Sequence, residues 1–201
     1  MEYDPDVVNL NSIPDELKIK IISYIKKFSI NYLLISKSYC NLLKNTILKF
    51  KLNKIEHITL YNYKNINFVL ENCFNIKYCV IVNCSITKEL LYKFLENNDK
   101  IIFLTLNKLY LINYDVYMID KYCNSIKHLN LSNNDISEIK FTNNKNIEFL
   151  DISYNKYISD IRTLFTLFIL KRVNITRCSI NNEDIQDFIE YHLSPSLIIS
   201  R

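Results

Sequence analysis

The 201-residue chain contains no glycine and no tryptophan, and only three prolines. Without glycine, neither a phosphate-cradling loop nor a dinucleotide fingerprint of the usual kind can be written, since both need residues lacking a Cβ where backbone approaches phosphate. The residue that most readily adopts positive φ is also missing. Asparagine, the next most tolerant, is present 27 times and is therefore expected to make most turns and helix ends.

Long apolar runs are absent too: no stretch approaches the roughly 20 residues that cross a bilayer. The opening MEYDPDVVNL is acidic where a secretory leader is basic and then apolar. These absences predict a chain that works in the cytoplasm or nucleus, away from membranes. There its six cysteines stay reduced, so no disulfide framework is expected. Tight Cys-x-x-Cys pairs are lacking, which argues against zinc at Cys73, Cys79 and Cys84. The three histidines, His57, His128 and His192, stand in no nucleophile or metal motif. Glu183, Asp184, Asp187 and Glu190 fall at helical spacing on a solvated face. No active site, cofactor or metal is expected, and the chain reads as a binding protein rather than an enzyme.

What is present, from Ile55 onward, is a repeat. Units start at Ile55, Ile76, Ile101, Ile126, Ile147 and Leu170, separated by 21, 25, 25, 21 and 23 residues. Each follows apolar-x-x-apolar-x-apolar-x-x-(Asn or Cys)-x-apolar, whose central alternation predicts a short strand with one buried face. This is the leucine-rich-repeat template. The unit from Ile126 matches best, with Leu129, Leu131, Asn134 and Ile136. The first and third match least, carrying Tyr63 and Leu109 at the Asn or Cys position. Asn134, Asn155, Cys84 and Cys178 share that position, where a small polar side chain can satisfy backbone groups at the bend leaving the strand. Cys79 replaces a buried aliphatic residue. Cys73 and Cys123 each lie three residues before a unit start, and they resemble the opening phrase of the cysteine-containing subclass of leucine-rich repeats.

Between strands, Thr87–Asn97 places Leu90, Leu91, Phe94 and Leu95 on one helical face, and NEDIQDFIEYHL does the same with Ile185, Phe188, Ile189 and Leu193. Residues 137–146 are too few for more than a turn or two, so helical and irregular backs are expected to alternate. SPSLIISR opens a truncated seventh unit at Leu197 that would cover an open edge.

Residues 1–54 differ in kind. Ser12 and Asp15 have capping-box spacing, Pro14 is tolerated in a first turn, and Leu17, Ile21, Ile25 and Phe28 form an apolar stripe. A second apolar segment runs from Ile30 to Ile47. Ile13 to Leu17, Ile22 to Ile25 and Leu33 to Tyr39 resemble an F-box, a helical motif that often precedes leucine-rich repeats. The likeness covers about Ile13 to Phe50. It departs from the motif in having Ile13 for the usual Leu and Tyr39 for Trp or Phe.

The resemblance implies an α/β leucine-rich-repeat solenoid with a parallel sheet at 55–201, preceded by a small all-helical F-box-like head at 1–54. It also implies a function: the head would dock on the Skp-type adaptor of a cullin-RING ubiquitin ligase, and the repeats would select the target. Ile13, Pro14, Leu17, Ile21, Leu33 and Leu34 are the implied adaptor contacts. Charge supports a docking head independently, since residues 1–54 hold nine lysines against five acids while the remainder is balanced at sixteen each. The alternative is a leucine-rich-repeat scaffold or sequestering protein whose head only caps the solenoid. Nucleic acid is a third reading; dedicated binders have a pI above about 9 and clustered arginine, whereas this pI is about 8.6. The wealth of Ile, Lys, Asn and Tyr is what AT-rich codons supply, as in a parasite or a large DNA virus acting in its host cell.

In the strands, non-core positions form columns on the concave face. The first reads His57, Tyr78, Phe103, His128, Phe149, Arg172, and the second Thr59, Val80, Thr105, Asn130, Asp151, Asn174. An aromatic and Arg-containing strip beside small polar groups suits a protein-binding hot spot. Aromatic neighbours packing across parallel strands would fill the same column, and for Tyr78 and Phe103 the two readings stand level; Asp151 tips Phe149 and Arg172 towards binding. The candidate target-binding residues are Tyr78, Phe103, His128, Phe149, Asp151 and Arg172.

Overall fold

Alternation of apolar residues at two-residue spacing dictates a strand whose apolar side must find a partner layer. A computed structural model describes residues 56–62, 66–191 and 197–201, and bears the alternation out. Among the described residues, seven strands form one parallel sheet in chain order. They are β1 (His57–Tyr61), β2 (Tyr78–Val82), β3 (Phe103–Asn107), β4 (His128–Asn130), β5 (Phe149–Asp151), β6 (Arg172–Asn174) and β7 (Ile198–Ser200). Residues 1–54, with the expected adaptor contacts Ile13, Pro14, Leu17, Ile21, Leu33 and Leu34, lie outside the described residues, as do Tyr63, His192 and Leu193.

Backbone bonds fix the register at both ends of each strand. At the start, one carbonyl takes two consecutive N–H groups from the next unit: Ile102 and Phe103 donate to Lys77, Lys127 and His128 to Ile102, and Glu148 and Phe149 to Lys127. At the end, a residue of positive φ donates its N–H forward, as Asn133 does to the Ser153 carbonyl at 2.9 Å. That position is left-handed in all six units, at Asn62, Asn83, Lys108, Asn133, Tyr154 and Arg177, with Asn75 and Tyr110 the further cases among the described residues. Asparagine thus fills half of these eight positions and not most of them. Hydrogen bonding to the neighbouring unit holds Lys108 and Tyr154 in a backbone region their Cβ disfavours, and Arg177 adopts the same conformation at the equivalent place.

The returns run behind the sheet. They are α1 (Asn67–Asn72), α2 (Lys88–Glu96), α3 (Asn113–Tyr122), a 3-10 helix η1 (Arg162–Thr166) and α4 (Asn182–Tyr191). In α2, Leu90, Leu91, Phe94 and Leu95 are buried, as the stripe predicts, and the Thr87 hydroxyl accepts from the Leu90 N–H at 3.4 Å. In α4, Ile185 and Phe188 are buried but Ile189 is 49% exposed, correcting the expected inward face. Phe188 stacks on Phe165 of η1 at 5.4 Å and takes the inward slot, which turns Ile189 outward.

Nor do helical and irregular backs alternate. The first three returns are helical, the fourth (residues 137–146) is irregular as expected, and η1 and α4 follow. Asp120, at the end of α3, holds the irregular return in place. Its carboxylate accepts the consecutive N–H groups of Thr142, Asn143 and Asn144, at 2.8, 3.1 and 2.8 Å, and the Thr142 hydroxyl at 2.8 Å. Burial acts to raise its pKa, but these donors outweigh burial and hold the carboxyl below the usual carboxylate range. Asp115, also on α3, accepts from the Ile112 N–H at 2.7 Å, Lys88 Nζ at 2.8 Å and Tyr92 Oη at 2.6 Å.

A polar spine runs through the bends. Asn134 Oδ1 accepts from the Leu109 and Leu111 N–H groups, and its Nδ2 donates to the Leu106, Leu131 and Ser132 carbonyls. Asn155 repeats this with the Ile136 N–H and the Leu131 and Ile152 carbonyls. Where cysteine stands at this position its thiol donates to backbone carbonyls: Cys84 to Leu60 and Val82, Cys178 to Ile152. Cys73, Cys79 and Cys123 are fully buried, and burial pushes the Cys73 and Cys123 thiols up to about 12. These cysteines are structural side chains with no exposed thiolate.

Candidate functional site

Residues that alternate with the core positions face away from the helices, and the pairing register sets them in rows. Tyr78 pairs with Phe103, Phe103 with His128, His128 with Phe149, and Phe149 with Arg172. His57 precedes this row and Ile198 follows it. The second row runs Thr59, Val80, Thr105, Asn130, Asp151, Asn174, Ser200. All six target-binding candidates therefore lie on one open face, in two adjacent rows.

Within the first row the rings pair unevenly. His128 stacks on Phe149 with centroids 4.3 Å apart and an interplanar angle of 8°. Phe103 meets the other face of His128 at 5.6 Å, and His57 stacks on Tyr78 at 4.2 Å. Tyr78 and Phe103, though paired in register, make no ring contact with one another. The aromatic strip is thus two blocks, His57–Tyr78 and Phe103–His128–Phe149. Cross-strand packing accounts for part of the aromatic bias, and the half-buried Phe103, His128 and Phe149 keep an exposed portion.

The second block borders a shallow groove of about 340 Å³ whose lining includes Phe103, His128, Phe149, Asp151 and Arg172, but not Tyr78. Its floor is braced locally. Asn130 Oδ1 accepts from the Ser132 N–H and hydroxyl, Asp151 Oδ1 from those of Ser153, and Asn174 Oδ1 from those of Thr176. Asn130 Nδ2 also reaches Asp151 Oδ2 at 3.4 Å. Sequence reasoning missed this brace, although its signal was visible as Asn-Leu-Ser, Asp-Ile-Ser and Asn-Ile-Thr at one offset in consecutive units. It also stopped at Arg172 and Asn174, whereas β7 adds Ile198 and Ser200 to the two rows.

On the rim at the strand starts, Glu148 sits between Lys171 at 2.6 Å and Lys127 at 3.3 Å. Hydrogen bonds from Lys171 and then Lys127 hold its carboxyl below the usual range. Lys77 and Glu56 pair at 2.7 Å further along the same rim. Among the described residues, no group of three or more His, Cys, Asp or Glu side chains is placed to hold a metal ion, and no helix is long and apolar enough to cross a membrane.

What this arrangement offers chemically is a rigid surface of ring, amide, hydroxyl, one guanidinium and one carboxylate. Comparison with known proteins bears on the scaffold that carries it. A family model of the leucine-rich repeat matches residues 122–138 and 143–161, the segments holding β4 and β5 and the bends that follow them. No curated protein matches the chain. Six groove-lining residues, His128, Leu129, Asn130, Phe149, Leu150 and Asp151, lie within the matched segments.

Proposed function

We propose that this chain is a non-enzymatic binding protein that presents one protein to another: the open face of the repeats seats a target, and the head delivers the assembly to a partner. The observation that carries the first half is the register that sets Phe103, His128, Phe149 and Arg172 side by side over a braced polar floor. Rigid aromatic area beside an arginine and directional polar groups is the composition of protein-binding hot spots. Leucine-rich repeats within the chain support the same reading, because stacked units create extended recognition surfaces.

The second half rests on the F-box resemblance of Ile13 to Phe50. In this reading the head docks on a Skp-type adaptor through Ile13, Pro14, Leu17, Ile21, Leu33 and Leu34. The chain then acts as the substrate-recruiting subunit of a cullin-RING ubiquitin ligase, whose other subunits supply the chemistry. The competing reading is a repeat scaffold or sequestering protein whose head is a cap; the matched repeats serve either reading equally.

Calorimetry of the full chain with a purified Skp-type adaptor separates the two. Tight binding that is abolished in a Pro14→Ala, Leu17→Asp double variant supports the ligase reading. A folded wild-type chain that leaves the adaptor unbound overturns it and makes the scaffold reading the better account.

A further inference from the structure

We propose that the groove over β4 to β7 seats an extended acidic peptide segment, one carboxylate of which is gripped by Arg172 and set against the ring edges of Phe149 and His128. This rests on reading the open face as a partner's seat, and adds the chemistry of the partner.

The charge inventory points there. Across β4, β5 and β6 and the residue preceding each, the charged side chains are Lys127, Glu148, Asp151, Lys171 and Arg172. Both carboxylates are already engaged: Glu148 by the two lysines, at 3.3 and 2.6 Å, and Asp151 by the Ser153 N–H and hydroxyl, at 3.0 and 2.7 Å, and by Asn130. Arg172 is exposed, and among the described residues its guanidinium has no hydrogen-bond or ion-pair partner. Arg162 clasps Asp160 with its closest contact at 2.6 Å, and Arg201 reaches Asn182 at 3.2 Å. Arg177 is exposed too, but it does not line the groove, so Arg172 is the groove's available guanidinium among the described residues. A planar guanidinium presents donors in a fixed fork that matches a carboxylate.

Ring orientation adds an independent argument. His128 and Phe149 lie face to face along the sheet at 4.3 Å, so their edges point out into the groove. The edge of an aromatic ring is the positive rim of its quadrupole and attracts negative charge. On the far side of Arg172 in the same row stands Ile198, 51% exposed, which offers an apolar neighbour for the residue beside the acid. An acidic residue flanked by apolar ones fits this row. A nucleic-acid strand fits it poorly, because its affinity comes from many phosphates neutralised together and here the cationic excess is a single charge.

The test is selection of a short random-peptide library on the full chain, followed by fluorescence anisotropy with the most enriched labelled peptide. Enrichment of Asp or Glu beside an apolar residue, affinity about tenfold weaker on Glu→Gln in the peptide or Arg172→Gln in the protein, and a preference turned towards basic peptides by Arg172→Glu are the expected results. Unchanged melting of the Arg172 variants shows that the loss belongs to the contact. A peptide whose affinity drops with Phe149→Ala but ignores Arg172→Gln overturns the acidic assignment and leaves the open-face seat standing. Insensitivity to both substitutions overturns the two together. Tighter, steeply salt-dependent binding of a short single-stranded oligonucleotide, or no enriched peptide, also overturns the assignment.

Discussion

Asn134 donates its side-chain amide to the Leu106 carbonyl of the preceding unit at 2.8 Å, and with the same amide caps its own bend at Leu131. Its oxygen takes the Leu109 and Leu111 N–H groups, so one buried side chain satisfies five backbone groups in two units. The preceding unit needs this help because Leu109 stands at its own bend position and has nothing to donate or accept. Asn134→Leu strands those groups in an apolar interior, and the expected cost is about 3 kcal/mol. For a chain of this size that lowers the melting temperature by roughly 6–12 °C. Calorimetric melting checks it; a shift within a degree or two would mean that the groups find water instead.

Left-handed backbone at the strand exit makes an opposite prediction. Lys108 has φ 56° and Asn133 φ 56° at equivalent positions, the first with a disfavoured side chain and the second with a favoured one. Lys108→Asn is expected to stabilise the chain by about 0.5 kcal/mol, and Asn133→Ala to destabilise it by about 1 kcal/mol. Urea unfolding of the two variants should move the midpoint in opposite directions at constant slope.

These two sites show what the sequence discloses and what it hides. Strand positions were legible because a buried aliphatic residue at Leu129 or Leu150 must alternate with an outward one, and the rows of the open face followed from that period alone. The shared left-handed position was hidden, since Lys108, Tyr154 and Arg177 are not residues that announce it; for Lys108 and Tyr154 a hydrogen bond to the next unit accompanies the conformation. Helix α3 escaped for a different reason. NYDVYMIDKY is rich in β-branched and aromatic residues that form helices reluctantly, and two of its inward positions are Asp115 and Asp120, each buried because donors from other segments converge on it. An apolar stripe interrupted by two carboxylates does not read as amphipathic. The ring blocks of the candidate site were equally invisible, because a column of aromatic letters does not say which neighbours touch.

Asp120 also ties stability to pH. Its folded pKa is depressed, so the stabilisation it brings is fully present above the unfolded carboxyl value of about 3.9 and disappears as the pH falls through the folded value. Asp120→Asn keeps the size but turns an amide donor towards the N–H groups of residues 142–144, and is expected to cost about 2 kcal/mol at pH 7. The gap between variant and wild type should narrow as the pH falls below the unfolded value, where the unfolded chain takes up a proton that folded Asp120 resists. Guanidinium unfolding at pH 7 and pH 3 measures both ends; a gap that stays constant would remove Asp120 from the acid response.

The two ring blocks separate packing from recognition on the open face. His128 and Phe149 touch face to face at 4.3 Å, whereas Tyr78 and Phe103 share a register position without ring contact. A double-mutant cycle to alanine isolates the coupling of each pair from the area each ring buries alone. Coupling of about 0.5–1.5 kcal/mol is expected for His128 with Phe149. For Tyr78 with Phe103 it should be smaller, within about 0.3 kcal/mol of zero, since no ring pairing joins them. Chemical denaturation of the wild type and the six variants gives both values. Equal couplings would show that neighbouring strands transmit the effect without touching rings. The expected inequality would instead make the Phe103–His128–Phe149 block a prefolded platform, so that a partner settling beside Arg172 meets rings already held in place and loses little conformational freedom in binding them.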